Sequence, residues 1–421
     1  MRTVRAVLVT ALALGALPAT AAGAAAAGEP PASPCAEVPV APYVDVDRAS
    51  PHAGAIDCGL WIGLVRGTEP DVFLPGAAVR RDQMAVLVAR AVTASRGELP
   101  APERRRFSDL EGNVHRDAIE SLAAAGIVTG YADGTYRPRG TVPRGQMTAF
   151  LARAWEHLAG EELGEAPDAF ADDDGHAHEP TIDRLAARGL VSGRTATTFA
   201  PDDATTRAGT AAFLLRLVGD HWGDRARTVG AFTSRVEPLP ARLRARMTGG
   251  SWRPGCPVGL DDLRLLSVVH RGMDGRDRWG LLVLHRDGVA DEVALALREA
   301  HAEGFAIERM QLVDRFGADD DASMAANNTS AFNCRYVEGT SRWSRHAYGD
   351  AVDVNPVQNP YVRGSEVEPS AGRAYLDRDD VRPGMIVRPN ALLRALEGAG
   401  WGWGGDWSAS KDYQHLSRTG S

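Results

Sequence analysis

The feature that most constrains this chain is a repeat with a period of 63 residues. His52, His115 and His178 fall in register, as do Ile56, Ile119 and Ile182. The same spacing aligns Gly63, Gly126 and Gly189, then Gly67, Gly130 and Gly193, then Phe73, Tyr136 and Phe199. Pro75, Pro138 and Pro201 follow, and finally Arg81, Arg144 and Arg207. Such columns mark a repeat architecture and have to be settled before any local feature. In the second unit Ala118, Ile119, Leu122 and Ala123 recur at helical spacing, and Gly126 suits the helix C-terminus. Ala132-Asp133-Gly134-Thr135 is a turn signal, and a second helix presents Met147, Phe150, Leu151 and Ala154 on one face. One helix–loop–helix unit cannot bury its own apolar face, so three of them are expected to pack together.

These units resemble S-layer homology repeats, over residues 43–218. The resemblance rests on the openings Phe107-Ser108-Asp109 and Phe170-Ala171-Asp172 and on the Gly, Asp-Gly, aromatic, Pro and Arg columns. It implies an all-α module of three units, 43–105, 106–168 and 169–220, that holds an exported protein to cell-wall polysaccharide without a covalent bond. The second helix departs from the usual Thr-Arg-Ala-Glu: here stand Arg80-Arg81-Asp82-Gln83, Pro143-Arg144-Gly145-Gln146 and Thr206-Arg207-Ala208-Gly209. The arginine is kept and the glutamate is not. Arg81, Arg144 and Arg207 either bind an anionic group of the polymer, which suits a guanidinium fork, or brace the repeats. The aligned histidines read as structural, since one per repeat cannot easily converge on a single metal.

Residues 221–250 are rich in Arg, Pro and Gly without a clear period and read as a linker; residues 251–421 read as a second domain. Leu281–Leu284 and Met310–Val313 are strand-like, Asp291–Ala302 and Leu392–Leu396 helical, and Asp319–Asp321 a solvated turn. Ala351–Val354 alternates as a strand does. Short strands mixed with few helices predict a small α+β domain. The chemistry concentrates in Ser344–Asn355 and in Lys411–Leu416. His346 and Asp353 flank Gly349, which permits a tight turn that swings both toward one point. Joined by His415, they would offer two imidazoles and a carboxylate, a zinc-type set that leaves the fourth position for water. Asp412 would then take that water's proton as general base.

Ser344-x-His346-x-x-Gly349-x-Ala351-x-Asp353 together with Asp412-x-x-His415 resembles the zinc D-alanyl-D-alanine carboxypeptidase family, which includes L-alanyl-D-glutamate endopeptidases. The flanking runs Asn328–Arg335, Asn355–Pro360 and Gly400–Trp407 resemble its exported bacterial branch. The resemblance implies one zinc on His346, Asp353 and His415, Asp412 as base, and a peptidoglycan stem peptide as substrate. Arg335 is the candidate to polarise the scissile carbonyl or hold a substrate carboxylate, the alternative being a pair with Asp319–Asp321. Ser344 either orients the metal shell or satisfies a turn. Trp401, Trp403 and Trp407 either wall a groove or fill core.

The rest of the chain fits an exported protein. Arg2 and Arg5 before the apolar run Ala6–Leu17 and a small-residue tail describe a signal peptide over residues 1–27, followed by a Pro/Ala-rich lead over 28–42. After processing no stretch is long enough to span a membrane. Four cysteines suit an oxidising compartment, and Cys35–Cys58 with Cys256–Cys334 is the simplest of three connectivities. A net charge of −8 gives no sign of a nucleic-acid partner. The expectation is therefore a secreted, cell-wall-associated zinc peptidase built from an all-α repeat module and a small α+β domain. The alternative is a wall-binding structural protein with a silent metal site, and Asp412 is the feature that separates the two.

Overall fold

The computed structural model describes Cys35 and residues 38–102, 105–221 and 232–420. The expected signal peptide and most of the lead lie outside the described residues. Each repeat contributes two helices: α1 (Ala53–Trp61) and α2 (Arg81–Ala94), α3 (Arg116–Ala124) and α4 (Arg144–Ala159), α5 (Glu179–Ala187) and α6 (Arg207–Asp220). The aligned histidines sit at the N-caps of α1, α3 and α5, where their carbonyls accept from the amides of Ile56, Ile119 and Ile182 at 3.0, 3.2 and 2.9 Å. Those isoleucines are fully buried, so the histidine column marks where a helix starts and its core face turns inward. The second glycine column is a close approach. A Cβ on Gly67, Gly130 or Gly193 would come within 2.3, 2.4 and 2.4 Å of neighbouring atoms.

A carboxylate fixes each loop. Asp45 accepts the amides of Phe73 and Leu74, Asp109 those of Tyr136 and Arg137, and Asp172 those of Phe199 and Ala200, all at 2.6–2.8 Å. The three units share one core, and their arginines stitch it into a ring. Arg81 Nε donates to the Tyr136 carbonyl at 2.8 Å, Arg144 Nε to that of Phe199 at 2.8 Å, and Arg207 Nε to that of Phe73 at 2.7 Å. The first unit thus reaches the second, the second the third, and the third returns to the first. Each guanidinium also lies 4.4–4.7 Å from the ring centroid of the residue whose carbonyl it binds. Of the two roles left open for these arginines, bracing is the one this geometry supports. Arg81 and Arg144 are buried and direct their Nε and Nη2 donors at backbone carbonyls rather than outward at a polymer.

The stretch expected as a linker is folded from residue 232 onward. β1 (Ser234–Pro238) joins β2 (Leu263–Arg271) and β3 (Asp277–His285) in an antiparallel sheet, with α7 (Ala241–Met247) between β1 and β2 in sequence. Period-two alternation splits the strands cleanly. Leu263, Leu265, Leu281 and Val283 face Leu243 and Met247 of α7, while Leu266, Val268, Leu282 and Leu284 face the core of α8 (Val289–Ala302). Met310–Val313 forms no strand: the Met310 carbonyl accepts the Leu281 amide at the edge of β3, and Val313 opens a 3-10 turn. Asp319–Asp321 starts a helix rather than forming a turn, with Asp319 and Asp321 exposed as expected. Asp319 caps α9 (Asp320–Ala325) by accepting from the amide of Ala322, and Asp320 is drawn inward. β4 (Ala351–Asp353), β5 (Tyr361–Arg363), β6 (Glu366–Glu368), α10 (Ala391–Gly398), β7 (Gly402–Trp403), β8 (Lys411–Asp412) and β9 (His415–Ser417) complete the chain. They form two small sheets, ordered β4-β9-β7 and β6-β5-β8. Cys35 is bonded to Cys58, and Cys256 to Cys334. Among the described residues no helix is long and apolar enough to cross a membrane.

The end of the lead and the first repeat contact the second domain. Val40 pairs with β3 through the Asp277 carbonyl and the Trp279 amide, at 3.0 and 2.8 Å. Asp71, 2% exposed, receives Arg246 at 2.8 Å and Arg315 at 2.6 Å. Burial alone would raise the Asp71 carboxyl, but hydrogen bonds from the two arginines outweigh it and hold it below its ordinary value. This attachment is fully present above a pH of about 4 and weakens as pH falls through the lowered value. Asp71→Ala leaves two partly buried cations without their shared partner and should cost about 3–5 kcal/mol. Calorimetry should show the unfolding of the variant shift to lower temperature, whereas an unchanged transition would mean the pair carries no attachment.

Candidate metal centre

The centre is assembled by strand register. β4 runs antiparallel to β9 so that Asp353 and His415 are direct partners, which puts two residues 62 apart in sequence side by side. Asp353 is held from its other edge by Ser330, amide to carbonyl in both directions at 2.9 and 3.0 Å. His346 sits in a short 3-10 turn (Arg345–Tyr348) whose start is capped by Ser344 Oγ, which accepts the His346 amide at 3.4 Å. Gly349 ends the turn at φ +71°, and a Cβ there would lie 2.9 Å from the His285 amide nitrogen. Only glycine meets both conditions, so the turn that delivers His346 toward Asp353 depends on it.

The three side chains converge. His346 Nε2 lies 3.0 Å from Asp353 Oδ2, His415 Nδ1 lies 3.0 Å from Asp353 Oδ1, and the two nitrogens are 3.3 Å apart. All three residues are buried. Ligands of a tetrahedral zinc with bonds of about 2.0–2.1 Å stand roughly 3.3 Å from one another, so the triangle has the right size for such an ion. The His346 tautomer agrees: its Nδ1 donates to the Ala331 carbonyl at 2.5 Å, which leaves Nε2 with a free lone pair. Burial works against charge on Asp353, yet the two imidazoles outweigh it and hold its carboxyl well below the usual range. His415 moves upward despite burial, because Asp353 accepts its proton in a hydrogen bond.

Asp412 flanks the triangle from β8, which pairs with β5. Burial, assisted by the charge of Asp353 and opposed by that of His415, pushes its carboxyl up to about 7. Asp412 Oδ1 and His415 Nε2 are both buried without a hydrogen-bond partner. Buried polar atoms rarely stay unpaired, and here two of them border a cluster of metal-binding side chains. The donor set, the spacing and these unpaired atoms all fit a divalent zinc-type ion.

Arg335 acts through its charge on His415 and is bound to Asp320 at 2.5 Å, so it both influences the site and pairs with the acidic run. Asp320 is what sequence reasoning missed: burial raises its carboxyl, and it feels the charges of Asp353 and His346. Three consecutive aspartates look solvated, and only the capping turn of α9 reveals that the middle one points inward. Trp401 and Trp403 are core, whereas the Trp407 ring lies 5.6 Å from that of His415. His270, His285 and His301 lie outside the triangle.

Comparison with known proteins agrees with this layout. Residues 338–418 match a family model described as D-alanyl-D-alanine carboxypeptidase, and residues 106–148 and 169–208 match the S-layer homology domain. Cell surface glycoprotein 1 of Acetivibrio thermocellus is 28% identical over 138 residues, covering 31% of this chain and 6% of that protein. The cellulosome-anchoring protein of the same organism is 25% identical over 154 residues, covering 36% of this chain and 34% of its own length. An endoglucanase of a Bacillus species is 32% identical over 100 residues, covering 23% of this chain and 10% of the enzyme. The chain thus spans no more than about a third of these relatives. It carries S-layer homology domains followed by a domain of the D-alanyl-D-alanine carboxypeptidase family.

Proposed function

We propose that this chain is a zinc peptidase of the cell wall that hydrolyses peptidoglycan stem peptides while its repeats hold it to wall polysaccharide. The observation that carries this reading is the buried triangle of His346 Nε2, Asp353 and His415 Nδ1 with an unpaired carboxylate oxygen of Asp412 at its edge. His346, Asp353 and His415 would hold a zinc ion, which would supply Lewis acidity at the scissile carbonyl and a water of lowered pKa, about 7. Asp412 takes the water's proton at Oδ1 and passes it to the leaving amine, the task suited to a carboxyl whose own pKa lies near neutrality. Arg335, already in the site's field, holds a carboxylate or carbonyl of the substrate, and Asp320 fixes its guanidinium. Ser344 acts at one remove, by keeping the turn that presents His346. A silent wall-binding protein would have no use for an unpaired carboxyl tuned in this way.

Purified peptidoglycan incubated with the protein should release fragments, and mass spectrometry should show either loss of terminal D-alanine or scission between L-alanine and D-glutamate. Asp412→Ala should lower turnover by about 10²–10⁴-fold while leaving metal content intact. Equal turnover in wild type and variant would refute the assigned base. Gly349→Ala should shift His346 against Asp353 and store strain of about 1–3 kcal/mol. Lower zinc content and a lower Tm are expected, and a variant that matches wild type in both would show the turn to be dispensable.

A further inference from the structure

The third repeat buries a carboxylate where its two siblings bury aliphatic side chains. Asp45, Asp109 and Asp172 are equivalent, each clamping two loop amides, and the next residue is Val46, Leu110 or Asp173. Val46 and Leu110 are core at 5% and 0% exposure. Asp173 is also 0% exposed, yet neither Oδ1 nor Oδ2 has a hydrogen-bond partner. A buried, unpaired carboxylate is among the costliest groups a fold can carry, and it calls for a counter-charge.

Asp183, on α5, and Asp168, at the entry to the repeat, face it. One oxygen from each of the three carboxylates lies within 4.8 Å of the others. Asp183 Oδ1 accepts the Ala169 amide at 3.0 Å and Asp168 Oδ1 the Phe170 amide at 3.2 Å, which fixes both groups in place. In the first repeat the counterpart of Asp183 is Asp57, and it is neutralised by Arg48 at 2.9 Å. In the third, no arginine or lysine forms an ion pair with any of these aspartates among the described residues. We propose that Asp168, Asp173 and Asp183 hold a hard divalent cation of the calcium class, tying the entry of the third repeat to α5.

All donors are oxygens, which selects a hard cation over zinc. Calcium tolerates an irregular carboxylate set completed by backbone carbonyls and water, whereas magnesium demands a near-ideal octahedron. The site has a different donor chemistry from the His–Asp–His centre and is independent of the peptidase reading.

The test uses the full chain with its zinc centre loaded and calcium alone as the probe, read by titration calorimetry and thermal unfolding. Wild type should take up about one calcium at this site, and Tm should rise with calcium concentration. Asp173→Leu installs the residue of the second repeat; it should fold, and its calcium affinity should fall by at least about tenfold, with the calcium-dependent rise in Tm lost. Wild type that binds no calcium, or an Asp173→Leu protein that binds it as tightly, overturns the proposal. Should Asp173→Leu fail to fold, the exposed change Asp168→Asn carries the test, and undiminished calcium affinity there overturns it equally.

Discussion

The C-terminal domain depends on one buried carboxylate. Asp353 is 4% exposed and stays charged because an imidazole contacts each of its oxygens, and every neighbouring element serves that arrangement. The β4–β9 register brings His415 opposite, the glycine-ended turn brings His346 across, and Ser330 with Ala331 pins the strand and the ring. A charged group this deep is tolerated only when its partners are fixed. Three short strands and one 3-10 turn can be so exact because the larger antiparallel sheet and α8 supply the core beneath them. The Cys256–Cys334 disulfide ties down the residue next to Arg335.

The repeats solve a different problem with the same physics. None can bury its helices alone, and their shared core is closed by three arginines that each satisfy carbonyls of the next unit. Closure of the ring leaves the first repeat to face the peptidase domain, where Asp71 gathers Arg246 and Arg315. The repeats and the second domain are therefore joined through buried charge at Asp71.

Much of this was legible in the sequence, for physical reasons. The repeat period was visible because each column answers a local demand: a helix start at His115, a close approach at Gly130, a brace at Arg144. The metal-type triangle was legible because its residues lie in two short motifs with a glycine between the first pair. What could not be read were features created by distant packing. Nothing local marks residues 234–247 as a strand and a helix, because β1 exists only as the partner of β2 and α7 only against the sheet's second face. Asp320 was hidden for a similar reason, since its burial is decided by Arg335 and the distant centre. The arginine columns were visible, but their partners across the ring were not.

The central claim is that two imidazoles and a carboxylate share one ion. The most direct measurement is X-ray absorption at the zinc edge on the purified full chain. The account predicts imidazole nitrogens and carboxylate oxygen at about 2.0–2.2 Å, a signal lost in His415→Ala. A chain that retains no zinc, or whose zinc environment is unchanged by that substitution, would contradict it.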